Sequence, residues 1–212
     1  MKTLKYFFLS AALVFSFACS STPPQEHDKP EDLSIYTKAY FAAGCFWCVE
    51  AIYQSVEGVA EVVSGYSGGS KKDADYGKVS SARTKHAESV VVYYDAKIVT
   101  YETLLKVFFG SHDPTTPNQQ GPDKGPQYRS VIFYQNESEE TLARDYISEL
   151  TKKKEFGSAK MVTEVVPFEA FYEAEDYHQD YEERNPYHPY VMNVSIPRLN
   201  KFKKKFPELL KK

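Results

Sequence analysis

The chain has 212 residues, with 26 lysines and arginines against 29 aspartates and glutamates, and a formal net charge of −3. This length suits one domain with a real core, and a hydrophobic fraction of 42% excludes a wholly disordered chain. An isoelectric point near 6.0 gives no reason to expect a nucleic acid as a partner. The three cysteines are Cys19, Cys45 and Cys48, so a conventional disulfide framework is excluded.

The N-terminus has the pattern of an export signal. Met1–Lys5 carries two lysines, and Tyr6–Ala18 is then free of charge but shorter than the roughly 20 residues that span a bilayer. We therefore predict a signal peptide over residues 1–18. A cysteine directly after this run resembles a bacterial lipobox and favours a lipid-anchored envelope protein attached at Cys19, while simple cleavage by a signal peptidase is the alternative. Residues 19–34, rich in serine, proline and charge, predict a disordered tether.

The remainder, residues 35–212, shows no internal repeat and no second linker, and we predict one domain there. Short apolar and β-branched runs predict strands at Ala39–Ala43, Val59–Ser64, Glu88–Tyr94, Ser130–Tyr134 and Val162–Val166. Apolar residues at helical spacing predict helices at Cys45–Ser55, Thr100–Phe109 (ended by Gly110) and Ser138–Lys153. Strands and helices alternate only in part, which favours a mixed α+β class.

Two segments are predicted to be loops, and the C-terminal tail to be a basic helix. Gly65–Asp75 is rich in glycine, serine and lysine, and His112–Tyr128 holds four prolines. The tail Ile196–Lys212 carries six lysines, and its spacing turns Leu199 and Phe202 inward with the lysines in water. Contact of those lysines with anionic lipid is the alternative.

Cys45 and Cys48 lie where the first predicted strand gives way to the first predicted helix. A helix N-terminus favours a thiolate, so we expect Cys45 to be the more acidic and more nucleophilic sulfur. Cys48 follows about one turn later on the same face and could attack an oxidised Cys45 to form a disulfide. A zinc half-site and a pair of packed thiols are alternatives, although the five histidines show no paired spacing. A thioredoxin-like oxidoreductase would have the same strand–CxxC–helix order.

Eight short motifs along the chain separate these alternatives. They are Gly44–Trp47, Gly65–Gly69, Asp75–Tyr76, His86–Glu88, His112–Pro114, Gln127–Ser130, Ala174–Gln179 and Asn185–Tyr187. In this order and spacing the sequence resembles the peptide methionine sulfoxide reductase A family over nearly all of Tyr36–Tyr190. The resemblance implies a ferredoxin-like α+β core with a mixed sheet and extended loops. It also implies thiol-dependent reduction of methionine S-sulfoxide, in proteins or free, at the start of the first helix.

The resemblance assigns roles to residues at matching positions. It implies that Cys45 attacks the sulfoxide and becomes a sulfenic acid, while Glu88 protonates the leaving oxygen. It further implies that Tyr76 and Tyr128 hydrogen-bond that oxygen and that Asp123 helps to order the site. Read alone, each tyrosine is more often part of the core, Asp123 is a turn residue, and Glu88 would pair with a neighbouring lysine, Lys85.

Phe46 and Trp47 match the wall that holds the substrate's methyl group, and Tyr190, or else Tyr187, matches a C-terminal aromatic contact. Many relatives carry a recycling cysteine just after the tyrosine matched by Tyr190, where this chain has Val191.

We therefore predict that Cys48 resolves the sulfenic acid on Cys45. An external, thioredoxin-like dithiol would then reduce the resulting disulfide, with no cofactor or metal in the protein itself. The predicted substrates are oxidised proteins or free methionine sulfoxide. The enzyme is predicted to be a monomer. Two other functions stay open at this point: a thiol–disulfide oxidoreductase acting on protein disulfides, and a non-catalytic surface lipoprotein with a buried dithiol.

Overall fold

The computed structural model describes residues 32–212. The predicted signal peptide, the lipid attachment at Cys19 and nearly all of the predicted tether lie outside the described residues. No helix within residues 32–212 has the length and apolar character needed to cross a membrane.

Six strands form one sheet within the described residues. They are β1 (Thr37–Ala43), β2 (Val59–Ser67), β3 (Ala87–Tyr94), β6 (Ser130–Tyr134), β7 (Glu164–Pro167) and β8 (Phe171–Glu173). Their order is β7-β6-β1-β3-β2-β8, and every neighbouring pair is antiparallel except β6 and β7. Two short strands, β4 (Gln119–Gln120) and β5 (Asp123–Lys124), pair as a separate hairpin.

Helices contribute to the core on one face of this sheet. The α-helices are α1 (Phe46–Gln54), α2 (Tyr76–Ser80), α3 (Tyr101–Ser111), α4 (Glu137–Lys153), α5 (Tyr181–Arg184) and α6 (Ile196–Lys205), and a π-helical turn, Val191–Ser195, leads into α6. The mixed α+β class predicted from the sequence is confirmed.

The central strand β1 is buried on both faces, and its alternation sorts side chains between two cores. Ala39, Phe41 and Ala43 belong to the larger core beneath the helices, while Tyr40 and Ala42 belong to a smaller cluster on the opposite face. This burial places the C-terminal end of β1, from which the turn at Gly44 and Cys45 starts, inside the molecule.

The tail helix α6 packs as its pattern predicts. Phe202 is buried, Leu199 packs against the larger core, and the lysines at 201 and 203–205 are exposed. The predicted helix Ser138–Lys153 is also confirmed, and Asn136 caps it by accepting a hydrogen bond of 3.0 Å from the Glu139 N–H.

Three expectations about local structure were wrong. Helix α3 continues through Gly110, where a Cβ would lie 2.3 Å from the Phe206 ring, so this glycine serves close packing and does not end the helix. Strand β2 extends through Ser67 into the predicted loop Gly65–Asp75, because β8 pairs with it there. The predicted loop His112–Tyr128 contains the β4–β5 hairpin and a 3₁₀ turn.

Candidate active site

A tight turn between β1 and α1 places Cys45 at the start of α1. Gly44 has a φ of +90°, and a Cβ at this position would lie 2.6 Å from the Gln120 Cβ, so only glycine fits. Cys45 then caps the N-terminus of α1 and is 6% exposed. Cys45 is therefore a buried residue at the helix end whose N–H groups lack intrahelical partners.

Strand β3 brings Glu88 to this turn. Its carboxyl is almost fully buried and accepts a hydrogen bond of 3.1 Å from the Phe46 N–H, while Lys85 is exposed. Burial raises the pKa of Glu88 to about 8, assisted by the nearby negative charges of Asp123 and Cys48 and opposed by the Phe46 N–H. Glu88 is thus a buried proton donor at neutral pH rather than the surface ion-pair partner considered from sequence alone.

The two thiols form a pair in which the negative charge rests on Cys48. Cys48 is buried, and its sulfur lies 3.0 Å from the Ser195 hydroxyl and 3.9 Å from the Tyr190 hydroxyl. A hydrogen bond from Cys45 and the positive charge of Arg198 lower the pKa of Cys48 to about 6. Burial and the contact with Cys48 raise the pKa of Cys45 well above its usual value.

This order of acidity is the reverse of the one expected from the position of Cys45 at a helix start. The helix end does favour a thiolate at Cys45, but burial and the neighbouring Glu88 and Cys48 outweigh it. Both cysteines are free thiols in this structure.

The predicted polar residues converge on the same turn. Tyr190 donates a hydrogen bond of 2.6 Å to Asp123, whose pKa is raised by burial. Tyr76 and Tyr128 are half-buried, and their pKa values are raised by burial and by the nearby charges of Glu88 and Cys45. Tyr76, Tyr128 and Tyr190 therefore lie around the dithiol as neutral hydrogen-bonding groups.

The aromatic wall is built around Trp47. Its ring stacks on Tyr181 with centroids 3.6 Å apart, and its indole N–H donates a hydrogen bond of 3.1 Å to Nδ1 of His178. Tyr190 meets the same indole edge-on at 5.9 Å, whereas Tyr187 is 86% exposed, so of the two candidates only Tyr190 contacts the site. Phe46 is 1% exposed and forms the floor beneath this wall.

Several residues of the site were not predicted from the sequence. Glu175 accepts hydrogen bonds from the Tyr66 hydroxyl (2.8 Å) and from the Tyr76 N–H (2.9 Å), so it fixes Tyr76 against the sheet. Glu175 and His178, which accepts the hydrogen bond from Trp47, both belong to the Ala174–Gln179 motif. Membership of that motif is the sequence feature that could have identified them.

Ser195 and Arg198 lie next to the dithiol without belonging to any of the eight motifs. Within residues 32–212, no group of three or more histidine, cysteine, aspartate or glutamate side chains is arranged to hold a metal ion.

Comparisons with known proteins agree with this geometry. The family model described as peptide methionine sulfoxide reductase matches residues 37–210. Peptide methionine sulfoxide reductase MsrA 2 of Synechocystis sp. is 49% identical over 175 residues, which cover 82% of this chain and 81% of the relative. The MsrA of Sulfolobus acidocaldarius is 46% identical over 80% of this chain and 95% of its own length.

The fold is also similar to those of solved structures. Mxr1 from Saccharomyces cerevisiae in reduced form superposes with a TM-score of 0.67 and 34% identity, covering 72% of this chain and 87% of that one. Methionine sulfoxide reductase A of Corynebacterium diphtheriae superposes with a TM-score of 0.67 and 32% identity, covering 72% and 77%. The chain therefore belongs to the peptide methionine sulfoxide reductase family.

Proposed function

We propose that this enzyme reduces methionine S-sulfoxide to methionine, with Cys45 as the nucleophile and Glu88 as the acid. One observation carries the assignment of roles: a buried carboxyl that keeps its proton near neutral pH is anchored on the N–H next to Cys45. The chemistry requires this pairing, because a sulfur nucleophile must attack while the sulfoxide oxygen is protonated.

The first step balances with the protons that the site holds. Cys45 starts as a thiol beside the Cys48 thiolate and passes its proton to Cys48 as it attacks the sulfoxide sulfur. A bond forms between the two sulfurs, and the S–O bond breaks as the oxygen takes the Glu88 proton and leaves as hydroxide. The hydroxide then adds to the Cys45 sulfur, the bond between the two sulfurs breaks, and methionine leaves with Cys45 as a sulfenic acid. Glu88 finishes as the carboxylate, so the total charge is unchanged.

The neutral groups around Cys45 suit the binding of a sulfoxide. Tyr76 and Tyr128 keep their hydroxyl protons, because burial raises their pKa values, and can donate hydrogen bonds to the sulfoxide oxygen. The Trp47 ring offers an aromatic surface to the methyl group, with the buried Phe46 ring packed next to it. Asp123 fixes the Tyr190 hydroxyl, which faces the dithiol.

The second step regenerates the enzyme. The Cys48 sulfur attacks the sulfur of the Cys45 sulfenic acid, a disulfide forms, and the oxygen leaves as water. The interaction between the two cysteine side chains supports this role for Cys48, and the position after Tyr190 is a fully buried valine, Val191. A thioredoxin-like dithiol then reduces the disulfide.

The N-terminal sequence supports an envelope location. Export by the signal at residues 1–18 and lipid attachment at Cys19 would place the enzyme, as a monomer, among oxidised proteins outside the cytoplasm. Labelling of cells with a fatty-acid analogue, comparing the chain with a Cys19→Ala variant, tests the attachment.

The reaction is tested by supplying the S and R epimers of methionine sulfoxide separately, with excess dithiothreitol, and measuring methionine. We expect turnover of the S epimer only. Turnover of the R epimer alone, or of neither, would contradict the proposal. Reduction of protein disulfides without any methionine formed would favour a thiol–disulfide oxidoreductase instead.

A further inference from the structure

Arg198, in the first turn of α6, ties three parts of the fold together beside the dithiol. Its Nη2 donates a hydrogen bond of 2.8 Å to the carbonyl of Ala43, and its Nε donates one of 2.7 Å to the carbonyl of Ser111. Ala43 is the last residue of β1 and Ser111 the last residue of α3. The remaining nitrogen, Nη1, lies 3.5 Å from the point that a Cβ on Gly44 would occupy. The guanidinium therefore packs directly behind the catalytic turn.

The hydrogen-bond partners of Arg198 do not neutralise its positive charge. Both partners are neutral main-chain carbonyls, and within residues 32–212 no carboxylate forms an ion pair with it. The side chain is half-buried, unlike Lys201 one turn later, which is exposed. A cation that is partly shielded from water and not neutralised by a carboxylate acts more strongly on nearby groups than a solvated lysine does.

Titratable and charged groups act on Cys48 from several elements around it. They are Cys45 at the turn, Glu88 on β3, Glu182 on α5, Tyr190 before the π-helical turn, and Arg198 on α6. Asp123 on the hairpin is connected to Cys48 through the Tyr190 hydroxyl. Burial raises the pKa of Glu88 and of Glu182 to about 8, so both carboxyls are largely protonated near pH 7. Among these described groups, Arg198 is the only cation.

We infer that Arg198 is a positioning residue for the dithiol, holding the turn through the Ala43 carbonyl and stabilising the Cys48 thiolate with its charge. The inference deepens the proposed function and depends on it for its catalytic meaning, because that thiolate receives the Cys45 proton and later attacks the sulfenic acid. The positive charge also acts on His112, where it adds to the lowering of the pKa by burial, and on Asp123, where it opposes the rise of the pKa caused by burial.

The test measures the titration of Cys48 in the full-length chain without substrate. A background of Cys19→Ser and Cys45→Ser leaves Cys48 as the single thiol, and thiolate absorbance near the ultraviolet edge reports its ionisation even when it is buried. Into this background Arg198→Met, Arg198→Gln and Arg198→Lys are introduced separately, with Lys201→Met as the matched control.

We expect the apparent pKa of Cys48 to rise by about one unit in Arg198→Met and Arg198→Gln, as is typical of losing a nearby opposite charge. Arg198→Lys should stay close to the parent value, and Lys201→Met should not move it. Glutamine keeps a hydrogen-bond donor, so it provides the neutral variant if methionine destabilises the turn. An unchanged pKa in both neutral variants, or an equal rise in Lys201→Met, would overturn the inference.

This result is separable from the proposed reaction. Failure of the otherwise unmodified chain to form methionine would reject the function while leaving the thiol titration intact. In chains that retain all three cysteines, Arg198→Met should lower kcat at pH 6 by about fivefold, following the loss of thiolate, and leave KM for the sulfoxide within about twofold. A purely structural role would predict no pH dependence of the loss.

Discussion

Two polar clusters, one partly buried and one buried, lie near the end of the central sheet, and they differ in how their hydrogen bonds are completed. At the first, His112 bonds with one ring nitrogen to the Phe108 carbonyl and with the other to the Ser130 hydroxyl, each at 2.7 Å. Ser130 in turn lies 2.8 Å from the Thr163 hydroxyl. At the second, the buried Glu88 carboxyl accepts one main-chain hydrogen bond and faces two thiols.

The comparison separates burial that supports structure from burial that prepares chemistry. Burial lowers the pKa of His112 to about 3, so it stays neutral, and both of its ring nitrogens are hydrogen-bonded. Burial raises the pKa of Glu88 to about 8, so it retains a transferable proton next to a nucleophile. A shifted pKa therefore marks the active site only when a reacting group lies beside it.

The largest expected effect is at Cys45. Cys45→Ser should abolish turnover with every reductant, because a neutral hydroxyl cannot replace the thiol as nucleophile. Methionine formation from the S epimer measures it, and an unchanged melting temperature is the control for folding. Measurable multiple turnover in this variant would assign the nucleophile elsewhere.

The second-largest loss of activity is expected from substitution of Glu88. Glu88→Ala removes the acid, and we expect kcat to fall by roughly 10²–10⁴-fold, the usual contribution of a positioned proton donor. Glu88→Gln is the matched variant, since it keeps the shape and an N–H donor but has no proton to transfer. A rate within a few-fold of the unmodified enzyme in both variants would remove Glu88 from the mechanism.

Cys48→Ser should separate the two half-reactions. Without reductant, one turnover of the unmodified enzyme should leave a protein that has lost two hydrogens, as expected for a Cys45–Cys48 disulfide. The variant should still release one methionine per chain and retain one added oxygen atom on Cys45. Intact-protein mass spectrometry reads both outcomes, and normal recycling by the variant would exclude Cys48 as the resolving thiol.

The pH dependence of kcat/KM should be bell-shaped. A raised pKa means that Glu88 keeps its proton up to about pH 8, so activity should fall tenfold per unit above that value. A lowered pKa means that Cys48 loses its thiolate as the pH falls through about 6, which sets the acid limb. In Glu88→Gln the alkaline limb should vanish from the residual activity, and its persistence would assign that limb to another group.

Much of this architecture could be predicted from local pattern, and the exceptions share a physical cause. Periodicity found the long strands and helices, and motif order found Cys45 and Glu88 together. Periodicity could not identify β8, because a strand of three residues is too short to show a repeating pattern. Gly110 was misread because its role depends on a ring from Phe206, far along the chain.

The order of acidity of the two thiols was only partly accessible to local reasoning. Helix-start geometry acts on Cys45 from its own neighbours and predicts a thiolate there. Charge on Cys48 is favoured first by the hydrogen bond from the nearby Cys45, and then by Arg198 on the tail helix and by Ser195, 147 residues away. A lysine-rich tail reads as a solvated surface, so nothing local distinguishes the one arginine that turns inward.

The smallest effect on activity is expected in the His112 cluster, which provides the contrast with Glu88. Ser130→Ala would leave a ring nitrogen of His112 and the Thr163 hydroxyl without a shared partner, at a cost of about 1–3 kcal/mol in the free energy of unfolding. Denaturant titration measures that loss, and kcat for the S epimer should stay within about twofold. Since His112 is neutral near pH 7, the loss should be independent of pH between about 6 and 8. A large fall in kcat with unchanged stability would mean that this cluster also takes part in the chemistry, and the distinction between the two polar clusters would then fail.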